Sequence, residues 1–177
     1  MRTLGDGELV ARARQGSREA AAELFTRHWP GAWKVARTVT GRRDMADDVA
    51  QDAFERAFAA LSRFDERRPF EPWLNRIVVN RSLDLLRSER RLVGIESADR
   101  IEGEWRDAAA EDRALLQAVS GLSPQRRVAI VLRYGVGLPP AEIAELLGVP
   151  VGTVHSRLAR GLDDLRGLEK EHDVERA

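Results

Sequence analysis

The sequence has no cysteine, which excludes disulfides and thiolate metal sites. Histidine is scarce as well: His28, His155 and His172 stand far apart and suggest no ligand cluster. No stretch approaches the ~18 consecutive apolar residues that a membrane span requires. The N-terminal segment likewise holds no apolar run of the kind a signal peptide carries. A phosphate-binding glycine loop is missing, and the acids and histidines fall at no catalytic spacing. The expectation from these absences is a cytoplasmic protein that is not inserted in a membrane, carries no metal or cofactor, and catalyses no reaction. Net charge of one sign is also lacking, since 29 Lys and Arg balance 29 Asp and Glu.

Charge balance over 177 residues says little about partners if the charges are segregated, and here they are. From Gly94 to Asp112 the acids Glu96, Asp99, Glu102, Glu104, Asp107, Glu111 and Asp112 face only two arginines, a net charge of about −5. That segment reads as an acidic linker, residues 94–112, between a domain at 1–93 and another at 113–177. Trp105 within it is either an anchor or a partly exposed aromatic. Basic stretches lie on both sides of it.

Every periodic segment has helical spacing, so the predicted fold is all-α: an N-terminal helical bundle, the acidic linker, and a C-terminal helix-turn-helix domain. Asp6 to Arg14 forms a short helix stopped near Gly16, and Ser17 caps the next, with Ala20 and Leu24 inward. Pro30 suits the first turn of a third helix running to Val39, ahead of Gly41. Asp44 and Asp47 resemble a capping box opening a long helix whose Val49, Ala53, Phe54, Ala57, Phe58 and Leu61 share one face. Ser62 to Pro69 is a loop. From Pro72 a further long helix places Leu74, Ile77, Val78, Leu85 and Leu92 on one side. Beyond the linker, Leu115 to Val119 starts the second domain, and Ser123-Pro124 opens a helix carrying Val128, Ile130, Val131 and Leu132. Gly135 to Pro140 is a turn. Two helices follow, Ala141 to Leu147 and Val151 to about Leu168, with a charged tail expected to fray from Glu169.

The sharpest pattern lies between Pro140 and Leu158. Ile143 and Leu147 sit one turn apart, Ala144 is small where helices must approach, and Gly148 suits a tight turn needing positive φ. Val154, Leu158, Leu162 and Leu165 form the buried stripe of the second helix. His155, Ser156, Ala159 and Arg160 lie on another side and suit the major groove, Arg160 as a two-bond donor to guanine. Thr153 and Arg157 are better placed for phosphates. The same pattern also fits two ordinary amphipathic helices with a solvated basic face.

Two further features bear on partners. Arg76, Asn80, Arg87 and Arg91 form a stripe with Trp73 at its edge, a mix of cations and aromatic that suits single-stranded DNA. The preceding Phe64, Asp65, Arg67 and Arg68 could wall a pocket for an extruded base, though Trp73 beside Leu74 is equally at home in a core. Asp44, Asp47, Asp48, Gln51, Asp52 and Glu55 make one helix face acidic, which repels DNA and fits either a basic protein surface or plain solvation.

Taken together, these residues resemble the extracytoplasmic-function group of bacterial sigma factors, of the sigma-70 family. The resemblance is carried first by Asp47-Asp48-Val49-Ala50-Gln51-Asp52-Ala53-Phe54, Phe64-Asp65, Phe70, Trp73-Leu74, Ile77, Asn80 and Leu83-Asp84-Leu85-Leu86-Arg87. In the second half it is carried by Leu122-Ser123-Pro124-Gln125-Arg126-Arg127, Leu132-Arg133-Tyr134, Glu142-Ile143-Ala144, Leu147-Gly148 and Val151-Gly152-Thr153-Val154-His155-Ser156-Arg157-Leu158. It implies that Asp47, Asp48, Gln51, Asp52 and Phe54 dock on core RNA polymerase. It implies that Phe64, Asp65, Arg67, Arg68, Trp73, Arg76, Asn80 and Arg87 open the −10 element of promoter DNA and hold an unstacked base. It assigns the −35 element to Thr153, His155, Ser156, Arg157, Ala159 and Arg160, threads the acidic linker through the polymerase, and adds an anti-sigma factor as partner. His155 stands where the family usually has Lys or Arg, and Ala159 where the residue is often bulky. The free chain is expected to bind promoters poorly, its two DNA surfaces being joined flexibly. Two other readings account for fewer of these features: a helix-turn-helix regulator acting without polymerase, and a sigma-like decoy that binds only protein.

Overall fold

The computed structural model describes residues 4–93 and 110–175, with side chains for 4–88 and 113–167. The acidic segment up to residue 109, with Trp105, and the side chains of Arg91 and Leu92 lie outside the described residues. Among those described there are eight α-helices and no strand: α1 (Asp6–Arg14), α2 (Arg18–Thr40), α3 (Arg43–Ala60), α4 (Phe70–Val93), α5 (Ala110–Gly121), α6 (Pro124–Ile130), α7 (Pro140–Leu147) and α8 (Val151–Glu175). The all-α expectation therefore holds.

Helices α1 to α4 form the first bundle. The Ser17 hydroxyl accepts the Ala20 amide at 3.2 Å and caps α2, satisfying one of the donors that a helix start leaves without a partner. Phe54, Phe70, Leu74, Val78, Leu24 and Val49 fill the core between these helices. A third helix starting at Pro30 is not found; α2 runs unbroken from Arg18 to Thr40 with Pro30 inside it. A proline in a helix interior costs one backbone bond, about 3 kcal/mol. Here Leu24, His28, Ala32, Ala36 and Val39 are all buried, so packing on both sides of Pro30 outweighs that cost. The capping box at Asp44 is likewise absent. Asp44 lies inside α3 and pairs with Arg42 at 2.6 Å, and this contact holds its carboxyl below the usual carboxylate range. Asp47 instead accepts the Trp33 indole N–H at 2.6 Å.

The second unit is built from α5 to α8. After α6 the chain makes one π-helical turn, Val131–Gly135, with the Val136 amide donating to the Val131 carbonyl at 2.9 Å. Helix α7 ends at Gly148, whose φ of 65° is left-handed, and its amide donates to Glu145 at 3.3 Å while Val149 donates to Ala144 at 3.1 Å. That double contact turns the chain into α8 within a few residues. Helix α8 continues to Glu175, past the end near Leu168 expected from sequence. Ile143, Val154, Leu158 and Leu132 are buried together behind the turn.

Close contact between α8 and α6 depends on Gly161. A Cβ there would lie 3.0 Å from Ile130 Cγ1 and 3.2 Å from its Cδ1. Gly161→Val is therefore expected to cost about 1–3 kcal/mol through overpacking, visible as a lowered thermal midpoint. The Arg126–Asp164 ion pair at 2.5 Å spans the same junction and would be strained by the same displacement.

The two units do not hang apart on a flexible joint. Val39 of α2 with Val79 and Leu83 of α4 are buried in one cluster with Val128 and Leu132 of the second unit. Val79 and Leu83 lie one turn apart on a face of α4 distinct from that of Leu74 and Val78, which fills the bundle core. That second apolar face draws the helix-turn-helix against the bundle, because exposing each such side chain costs about 1.5–3 kcal/mol.

Candidate nucleic-acid interface

On α8 the sequence-predicted reading residues share an accessible side. His155, Ser156, Ala159 and Arg160 are all exposed, with Thr153 and Arg157 half-buried beside them. The geometry follows from the buried stripe: Val154 and Leu158 anchor the helix, so residues about a third of a turn away must face outward. The Ser156 hydroxyl donates to the Thr153 carbonyl at 3.0 Å, which leaves its oxygen as an acceptor. Arg160 makes no ion pair among the described residues and lies exposed on the helix.

On α4 and the loop before it the candidates divide. Phe64 is 5% exposed and packs on Phe70 at 5.8 Å and Trp73 at 4.7 Å. It is a core residue, so the expectation that it walls an open base pocket gives way to a supporting role. Trp73 is half-buried against Phe64 and Phe70. Asp65 shapes the loop, its carboxylate accepting the Arg67 amide at 3.1 Å and its carbonyl the Arg68 amide at 2.9 Å. That turn presents Arg67 and Arg68 to solvent. Asn80 is exposed.

Arg76 and Arg87 have partners that sequence reasoning missed. Arg76 forms an ion pair with Glu142 of α7, and Arg87 donates to the Leu146 carbonyl at 3.2 Å and to Asp84 at 3.3 Å. A cavity of about 200 Å³ opens beside them, lined by Leu86, Arg87, Leu147, Val149 and Arg157 among others. One signal in the sequence pointed this way. Pro150 stands four residues after Leu146 and has no N–H, so the Leu146 carbonyl cannot complete a helical bond and is left open to another donor.

The acidic face of α3 holds Asp47, Asp48 and Gln51 at the surface, with Gln51 donating to Glu55 at 3.3 Å. Asp52 is half-buried, paired with Arg56 one turn along α3 at 3.1 Å and with Arg81 of α4. Phe54 is 2% exposed, under Phe25, Trp29 and Phe58, so it cannot touch a partner from where it stands. Its helical spacing with Val49, Ala53 and Ala57 places it on the apolar face, and it lies there; only the resemblance assigns it to docking. Among the described residues there is no grouping of histidine and acids able to hold a metal ion, and no helix is long and apolar enough to cross a membrane.

Both units have counterparts among known proteins. The family described as Sigma-70 region 2 matches residues 24–92, and Sigma-70 region 4 matches residues 112–165. The sigma factor NccH of Alcaligenes xylosoxydans xylosoxydans is 31% identical, over 96% of this chain and 97% of its own. CnrH of Cupriavidus metallidurans is 33% identical, over 92% and 93%. The ECF RNA polymerase sigma factor SigW of Bacillus subtilis is 28% identical, over 89% and 92%. Among solved structures, CnrH in complex with the cytosolic domain of CnrY aligns with a TM-score of 0.58 at 32% identity, covering 94% of this chain and 97% of that one. With both regions present in order, and relatives alike over nearly their whole length, the chain belongs to the extracytoplasmic-function sigma factors of the sigma-70 family.

Proposed function

We propose that this chain binds core RNA polymerase in the cytoplasm, directs it to a specific set of promoters and assists melting of their −10 element. The observation that carries the reading is the pairing, on one chain, of an exposed reading face on α8 with a cationic, aromatic-edged surface on α4. The bundle, 1–93, serves polymerase and the −10 element; the helix-turn-helix unit, 113–177, serves the −35 element; the acidic segment 94–112 connects them through the polymerase.

Each step uses ordinary binding chemistry. Asp47, Asp48 and Gln51 offer acceptors to a basic protein surface, while Asp52, held by Arg81, keeps α3 and α4 in register behind them. Arg160, Ser156 and His155, with the small Ala159 beside them, form the face that reads base edges in the major groove; Arg157 and Thr153 meet phosphates alongside. Arg67, Arg68, Arg76, Asn80 and Arg87 hold the displaced strand, and the half-buried Trp73 stacks on an unpaired base. Strand separation is driven by these contacts, which the duplex cannot make, and needs no nucleotide hydrolysis. Polymerase fixes the two surfaces at promoter spacing, so binding at one raises the effective concentration at the other. The partner set is completed by an anti-sigma factor; the similar CnrH is known in complex with another protein, the cytosolic domain of CnrY.

The test is promoter selection. Core polymerase is incubated with and without the chain on randomised duplexes, and the transcribed templates are sequenced. Chain-dependent transcription from templates sharing two blocks about one and a half turns apart is the expected result. Retention of duplex DNA by the chain alone, with no gain in transcription, would sink the reading in favour of a polymerase-independent regulator.

A further inference from the structure

Residues 65–68 read Asp-Glu-Arg-Arg, a loop without net charge at the place where a displaced strand is to be held. The fold separates those charges. Both ends of the loop are pinned, since Phe64 and Phe70 are buried with ring centroids 5.8 Å apart. Between them Asp65 is used for the turn, its carboxylate accepting the Arg67 amide at 3.1 Å. Glu66 is turned the other way, onto Arg14 of α1 at 2.5 Å. The second nitrogen of the same guanidinium donates to the Ser62 carbonyl at 3.0 Å. Arg14 thus grips the loop together with the short helical turn before it, Leu61–Arg63. Arg67 and Arg68 are left exposed, and neither enters an ion pair among the described residues.

Helix α1 is a firm support for that grip. Its Leu9 and Val10 are buried in the bundle, and its Asp6 pairs with Arg27 of α2 at 2.7 Å. Resting on the reading of this loop as part of the −10 surface, we propose that Arg14 is a positioning residue for promoter melting. By holding Glu66 against α1, it turns a neutral loop into a cationic edge, Arg67 and Arg68, facing the displaced strand. Arg14 itself touches no DNA. Without it the Glu66 carboxylate is released beside Arg67 and competes with phosphates for the two arginines.

Magnitudes place the effect in DNA binding and not in folding. Arg14 and Glu66 keep 33% and 47% of their side-chain surface, so water screens the pair and the bundle gains little stability from it. A released carboxylate cancels about one cation at the strand. One phosphate contact on a single strand contributes about 0.7 to the slope of log K against log salt, or about 4-fold in affinity near 0.15 M.

The experiment uses core polymerase saturated with the chain, and a short fluorescent single strand carrying the −10 block of a selected promoter. Strand affinity is titrated across salt for wild type, Arg14→Ala, Glu66→Gln and the double variant, with the thermal midpoint of each chain. Arg14→Ala is expected to lose about 4-fold, with a salt slope shallower by about 0.7. Its midpoint should stay within about two degrees of wild type. Glu66→Gln should remain within about 2-fold of wild type, and the double variant should recover to that level, because no carboxylate is left to hold. Wild-type affinity in Arg14→Ala would overturn the proposal. So would a double variant as weak as Arg14→Ala, since Arg14 would then act through Ser62 or the fold and not through Glu66. If Arg14→Ala lowers the midpoint further, Arg14→Gln, which keeps a donor for Ser62 and removes the charge, decides in its place by the same two outcomes. Transcription by core polymerase with the wild-type chain is measured alongside. If no template is selected, the sigma-factor reading falls, and the role of Arg14 with it. If templates are selected while Arg14→Ala binds the strand as wild type does, only the role of Arg14 falls.

Discussion

Arg160→Ala should reduce transcription from the chain's selected promoters by roughly 10- to 100-fold, the equivalent of the ~1–3 kcal/mol carried by a bidentate arginine–guanine pair. The effect is large because nothing within the described residues competes for this guanidinium. It lies exposed on α8, two residues beyond buried Leu158, and enters no ion pair there. Ser156→Ala should cost less, since the Ser156 hydroxyl already donates to the Thr153 carbonyl and has only an acceptor to offer. The measurement is promoter selection repeated with each variant. A base-reading Arg160 loses preference at one position of the upstream block, with the −10 block unchanged. A uniform fall across all templates would assign Arg160 to a phosphate instead.

Local structure was largely readable from the sequence, and long-range pairing was not. The helix-turn-helix followed from Ile143, Gly148, Val154 and Leu158, because an apolar stripe and a left-handed glycine impose their geometry within a few residues. Ser17 was legible as a cap for the same reason. Pro30 was misjudged because a local rule sets the cost of an interior proline, while the packing of Leu24, Ala32 and Ala36 that outweighs it comes from other helices. Val79 and Leu83 were visible as apolar residues, but their destination in the second unit depends on a fold that periodicity cannot supply. Arg76 shows the same limit from the polar side. Its position on a cationic stripe was evident, whereas its contact with Glu142 joins residues far apart in the chain.

The candidate sites separate along the same line. Side chains whose role needs exposure could be sorted only once burial was known. Asp47, Asp48 and Gln51 kept the surface positions that docking requires, and Asp52 turned out to tie α3 to α4. Phe64 and Phe54 moved into the core, where a sequence motif reflects the scaffold beneath an interface as much as the interface itself. This distinction makes a direct experimental comparison possible.

Phe54→Ala should destabilise the bundle by about 3–5 kcal/mol, the usual cost of deleting a buried phenylalanine. Phe54 sits where α2 and α3 meet, with ring centroids 4.8 Å from Phe25, 6.1 Å from Trp29 and 5.9 Å from Phe58. Its removal takes one ring from each of those contacts and leaves a cavity that helices fixed by Ala50, Ala53 and Ala57 cannot close. In a domain of this size the thermal midpoint should fall by at least about 10 °C. Asp48→Ala should show the opposite pattern: an exposed carboxylate is lost, the midpoint stays within a degree or two of wild type, and affinity for core polymerase declines. Melting curves and polymerase binding measured on the same two variants separate a scaffold residue from a contact. Should Phe54→Ala weaken polymerase binding while leaving the midpoint unchanged, the ring would have to be exposed in solution, and its place in the core of the bundle would be wrong.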